Sequence, residues 1–141
     1  MKKTLLAIGF ILFANISKSQ IIGKLANRTP EFTVNKEKLI SNFQSNLQLI
    51  SNIQASFNKV EILNINEAYY LVFSGSTYTS KIPLEIDEQQ FLMAQKISCT
   101  SSACATTDGC VPNFWGNKCS PCNDGNKDCI KTVSNGSLLT H

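Results

Sequence analysis

The residues of this chain best suited to chemistry are six cysteines: Cys99, Cys104, Cys110, Cys119, Cys122 and Cys129. They share a short stretch with Ser, Thr, Asn, Asp and Gly, in which Val111, Phe114 and Trp115 are among the few large apolar residues. Burial alone cannot offset about 1–2 kcal/mol per residue of backbone entropy in such a composition. An even number of closely spaced cysteines in an exported chain reads as a disulfide framework. Each bridge contributes about 2–4 kcal/mol, largely by restricting the unfolded chain. Spacing leaves the pairing open.

Two other thiol chemistries compete with staples. Cys119-Ser120-Pro121-Cys122 has the two-residue gap of tetrahedral thiolate ligation, but a zinc ribbon needs a second such knuckle and none is present. Cys99 and Cys104 start like a plant-type iron–sulfur spacing, yet five residues precede the next cysteine where two are required. Thiolates are also difficult to keep reduced after export, so no metal and no cofactor is expected. The Ser-Pro interior of the same motif is similar to the Gly-Pro interior of thioredoxin-like proteins. That likeness implies a secreted thiol–disulfide oxidoreductase using Cys119 and Cys122. Such a fold needs a strand before the motif and a helix and further strands after it. The short run after Cys122 is rich in Asn, Asp, Gly and Ser and cannot supply them. Cys119 and Cys122 are therefore each expected to bond to another cysteine.

Other catalytic constellations are lacking. The one histidine is His141 at the end of the chain, which removes Ser-His-Asp, Cys-His and multi-histidine zinc sites together. Glu85, Asp87 and Glu88 could form paired carboxylates for glycoside chemistry, but they fall at a turn, where solvated charges are ordinary. Asp124, Asn126 and Asp128 around Gly125 faintly match a calcium loop without its closing Glu. No glycine-rich phosphate loop occurs. Tyr69, Tyr70, Phe73 and Tyr78 suit core packing better than a ligand strip, since a strand alternates its faces. The chain reads as a non-enzyme.

The start of the chain predicts export. Lys2 and Lys3 precede the apolar run Leu5–Ala14, and polar residues with small Ser17 and Ser19 follow. This is the pattern of a cleavable signal peptide, residues 1–19, cut before Gln20. The apolar run is shorter than the roughly 20 residues of a membrane span. No cysteine lies near the cut, which argues against a lipoprotein. Of the 13 basic residues, Lys2, Lys3 and Lys18 leave with the signal, so the net charge of +3 leaves with them. A neutral remainder gives no electrostatic case for nucleic acid or an anionic membrane surface. The expected location is secreted or periplasmic.

The elements that must position the cysteines lie in residues 20–98. Gln20 to Thr33 reads as an irregular lead-in. Asn35 is a helix N-cap with Val34 and Leu39 as a hydrophobic staple. Leu39, Ile40, Phe43, Leu47, Ile50 and Phe57 recur at helical spacing, giving an amphipathic helix from about 36 to 56. Strands are expected at Val60–Ile65, Tyr69–Phe73 and Thr77–Ile86, with turns at Ser74–Ser76 and Asp87–Gln90. Phe91–Ser98 reads as a fourth strand or a short helix. Pro83 assigns its strand to an edge or a bulge. The expected class is α+β: one amphipathic helix packed on a small antiparallel β-meander, followed by a disulfide-stapled, loop-rich segment at 99–141.

Gly109-Cys110-Val111-Pro112, Phe114-Trp115-Gly116, Cys119 and Cys122 together resemble part of an EGF or laminin-type EGF repeat, where an aromatic-Gly pair sets a tight turn before a cysteine. The chain departs from that family in the Cys99–Cys110 spacing, in lacking tandem copies and in lacking the acidic calcium-binding pattern, as convergent disulfide knots do. As a whole it is similar to small exported cysteine-rich proteins of Flavobacteria-like bacteria, in the Lys-Lys signal ending before Gln20, the Tyr69–Gly75 strand after a helix, and the closing cysteines Cys99–Cys129. That resemblance implies a compartment and a lineage, and no activity. The expected role is a binding module offering Phe114 and Trp115 on a rigid knot to a protein or glycan partner. An inhibitor or toxin built on the knot is a third reading, supported only by small size and disulfides.

Overall fold

The structure is a computed structural model and describes residues 20–104, 109–113, 118–122, 125 and 128–140. Residues 1–19, expected to be a signal peptide, and the aromatic pair Phe114 and Trp115 lie outside the described residues.

Among the described residues there are eight strands and one helix: β1 (Gln20–Ala26), β2 (Thr29–Phe32), α1 (Lys36–Ser51), β3 (Phe57–Ile65), β4 (Ala68–Gly75), β5 (Thr79–Ile86), β6 (Phe91–Ala94), β7 (Ile97–Ser101) and β8 (Ile130–Val133). Every pairing is antiparallel. The strand order is β2-β1-β6-β5-β4-β3, with β7 paired to β5 and β8 to β7. The sheet curls until its ends approach. A Cβ on Gly23 of β1 would stand 2.5 Å from the Glu31 carbonyl oxygen of β2 and 3.3 Å from Ile62 Cδ1 of β3. Only a residue without a side chain permits that approach.

The expected α+β class, a helix on a small meander, is therefore corrected to a mostly β, nearly closed antiparallel barrel with one short helix. The lead-in is the β1–β2 hairpin. Its turn residues Asn27 and Arg28 have φ of 50° and 66°, and Asn66 and Glu67 between β3 and β4 have 50° and 67°. Both turns place two consecutive residues in the left-handed region, the geometry that matches strand twist. Here Asn leads but no Gly follows, so the usual signal is absent. Pro30 is tolerated because β2 is an edge strand paired only to β1.

Pro83 is not at an edge. β5 pairs with β4 on one side; on the other, Thr79–Lys81 pair with β7 and Leu84–Ile86 with β6. The Pro83 carbonyl accepts from Gln95 N at 3.0 Å, so the missing N–H faces the gap between β6 and β7. The proline sits where the strand changes partner, and no ladder bond is lost.

The helix starts as expected: the Asn35 side chain accepts from Lys38 N at 2.7 Å. It ends at Ser51, short of residue 56, because Asn52 turns left-handed at φ 54° and its N–H caps Gln48 and Leu47. Phe57 thus belongs to β3 and Ile50 is exposed. Leu39, Phe43 and Leu47 enter the core with Ile22, Leu71, Phe73, Ile82, Leu84 and Leu92. Phe43 lies 4.3 Å from Phe73 and 5.7 Å from Phe57 between ring centroids.

The sheet crosses the 98/99 boundary, since β7 spans Ile97–Ser101 and β8 returns from the cysteine-rich segment. Leu138 and Leu139 are buried in the same core. Asn42 Nδ2 donates to the Leu139 carbonyl, and Asn46 Nδ2 to those of Leu138 and Thr140, each at 2.9 Å. The inner face beside β7 and β8 is polar: Ser80 and Thr100 hydroxyls meet at 2.7 Å, Ser51 and Thr132 at 2.6 Å.

Candidate binding site at the disulfide knot

Strand register explains where the knot sits. Leu71, Phe73, Ile82 and Leu84 point inward, so their neighbours Tyr70, Val72, Lys81 and Pro83 point outward. Pairing places Val72 opposite Lys81, Lys81 opposite Cys99, and Cys99 opposite Lys131. This row crosses the outer face of β4, β5, β7 and β8. An outward row is normally exposed, yet Tyr70, Val72, Lys81 and Cys99 are all buried. The cysteine-rich segment lies against Tyr70 through Pro112, against Lys81 through Gly109 and against Cys99 through Cys119.

That segment folds back as a short antiparallel ladder. Ser120 N donates to the Val111 carbonyl at 2.8 Å, Asn113 N to that of Lys118 at 2.9 Å, and Pro112 bridges Cys119. Cys110 lies in the left-handed region at φ 52°. Three disulfides fasten the ladder: Cys99–Cys119, Cys104–Cys122 and Cys110–Cys129. Two of them tie it to β7 and to the approach to β8. Each closes a stretch of 18 to 20 residues, and the three stretches overlap.

Polar contacts fix the underside. Lys81 Nζ, only 4% exposed, donates to the Gly109 carbonyl at 2.6 Å. A charge-assisted bond of this kind offsets the cost of burying an ammonium. Tyr70 Oη donates to the Pro112 carbonyl at a long 3.4 Å, and burial pushes its phenol pKa up. Asp128 accepts from Ser102 N at 3.3 Å and from the Ser102 hydroxyl. At the seam between barrel end and ladder, Ile65, Asn66, Tyr70, Val111, Pro112, Asn113 and Ser120 line an open cavity of about 250 Å³.

All six predicted cysteines are brought together, and none is free. Cys119 and Cys122 bond to Cys99 and Cys104, not to each other. The sulfurs of Cys99, Cys119 and Cys129 lie within 4.8 Å of one another, but each is in a bridge, so none offers a thiolate in this oxidised form. Two of the acidic residues weighed for chemistry, Asp87 and Glu85, are tied up locally. Asp87 Oδ1 accepts from Gln89 N and Phe91 N, and Glu85 Oε1 from Gln95 Nε2. Asp124 and Asn126 lie outside the described residues. Phe114 and Trp115 fall in the sequence between Asn113 and Lys118, which the ladder pairs, and lie outside the described residues.

Lys81 and Tyr70 were not legible as site residues. Alternation along β5 sets Lys81 on the face opposite Ile82 and Leu84. Its burial depends on a distant segment that periodicity does not register.

No family model, no curated protein and no solved structure matches this chain. Among the described residues no helix is long and apolar enough to cross a membrane. Three disulfides fit an oxidising environment.

Proposed function

We propose that this is an exported, non-enzymatic binding module, secreted or periplasmic, that presents its disulfide knot to a protein or glycan partner. The supporting observation is the double anchoring of the ladder: three bridges fix it covalently, and buried Lys81 holds the Gly109 carbonyl from below. A loop whose ends are fixed in advance binds with little ordering cost. Phe114 and Trp115 fall in the sequence between the fixed residues Asn113 and Lys118, and large aromatic side chains carry much of the energy of such contacts. Pairing of Cys119 and Cys122 with different partners favours a scaffold role over a dithiol one.

The test uses the exported, oxidised protein on an immobilised glycan panel, and photo-crosslinking in the producing cells. Trp115→Ala should weaken the captured interaction at least about tenfold, corresponding to about 1.4 kcal/mol, while leaving the disulfide map unchanged. Undiminished affinity of the alanine variant for every captured partner would contradict the proposal.

A further inference from the structure

The sulfur cluster of Cys99, Cys119 and Cys129 spans two different bridges, Cys99–Cys119 and Cys110–Cys129. The third, Cys104–Cys122, is not part of it. Burial separates the four sulfurs: Cys99 and Cys110 are buried, while Cys119 and Cys129 are half-buried. A disulfide is opened by a thiolate attacking an accessible sulfur, and the thiolate released can attack a second disulfide in reach. A thiolate released in a buried setting is poorly solvated, which favours its recapture.

We propose that Cys99–Cys119 and Cys110–Cys129 form one thiol-exchange site, entered at Cys119 by a low-molecular-weight thiol. The incoming thiolate attacks Cys119 Sγ. The Cys99–Cys119 bond breaks and its electron pair leaves on Cys99. The Cys99 thiolate then attacks Cys129 Sγ, a Cys99–Cys129 bond forms, and the Cys110–Cys129 bond breaks. Cys110 takes up the proton that the incoming thiol lost. The product carries a mixed disulfide at Cys119, a new Cys99–Cys129 bridge and a thiol at Cys110. The number of disulfide bonds is unchanged, and nothing is oxidised or reduced overall. The exchange does not use the Cys119/Cys122 motif as a dithiol, and Cys104–Cys122 stays as the staple that keeps the ladder in place.

Cys110→Ser in the full chain tests the coupling without any added thiol, because it leaves Cys129 as a thiol beside Cys99–Cys119. After equilibration at mildly alkaline pH, a non-reducing peptide map should show Cys129 bonded to Cys99 or Cys119 in at least about one-tenth of the chains, a window of about 1.4 kcal/mol. Cys104–Cys122 should remain intact. Cys129 alkylated quantitatively, with Cys99–Cys119 as the sole pairing of those residues, would overturn the proposal. Should that variant not fold, the unaltered protein decides. Incubation with glutathione should give glutathione on Cys119 and an alkylatable thiol on Cys110. A thiol retained on Cys99 instead would show that nothing is passed on, and would overturn the proposal equally.

Discussion

Phe43→Ala is expected to lower the unfolding free energy by about 3–5 kcal/mol, the range for removing a fully buried aromatic ring. Phe43 is completely buried, and its ring touches Phe57 of β3 and Phe73 of β4. Those two rings are themselves 5.7 Å apart, so the deletion opens a hole between the helix and two strands. Neighbouring atoms held by the sheet relax into it only in part. Against a typical domain stability of about 5–15 kcal/mol, this is a large share. Urea titration followed by circular dichroism measures it; a loss below about 1 kcal/mol would mean that α1 does not pack into the barrel as described.

Joint replacement of Cys104 and Cys122 by alanine should cost about 3 kcal/mol, the chain-entropy value for a closed loop of this size. Both residues are only 2% exposed and the bridge closes 18 residues. The loss should be unevenly spread. Hydrogen exchange should quicken in the ladder at 109–113 and 118–122, whose polar composition offers little else to hold it. It should change little in β3 and β4, which rest on the aromatic core. Exchange that quickens equally in β3–β4 and the ladder would contradict a knot laid on a self-sufficient barrel.

Much of the apolar patterning was legible. Asn35 marked the helix start, and the run Tyr69–Phe73 marked the central strand, because capping and alternation are local. Three features were not local. The β1–β2 and β3–β4 turns use Asn-Arg and Asn-Glu in left-handed backbone, where glycine would have announced a hairpin. β7 and β8 are short and rich in Ser, Thr and Lys. Their composition matches a loop, and they are strands because β5 offers an edge and Cys99 is cross-linked to Cys119. Asn52 ended the helix early, since a single left-handed residue outweighed the continuing periodicity toward Phe57.

The candidate site was legible in its cysteines and not in its floor. A cluster of six cysteines in an exported chain announces bridges without saying which pair. Cys99 meets its partner on the outward row of Val72, Lys81 and Cys99, and that row exists only once the register of three strands is set. Lys81 illustrates the limit: a cover arriving from residue 109 is invisible in the strand's own sequence.

A non-reducing peptide map of the protein recovered from its native location addresses the oxidised knot most directly. The pairs Cys99–Cys119, Cys104–Cys122 and Cys110–Cys129, with no alkylatable thiol, are the expected result. Six free thiols, or a Cys119–Cys122 bond in the resting protein, would contradict the account.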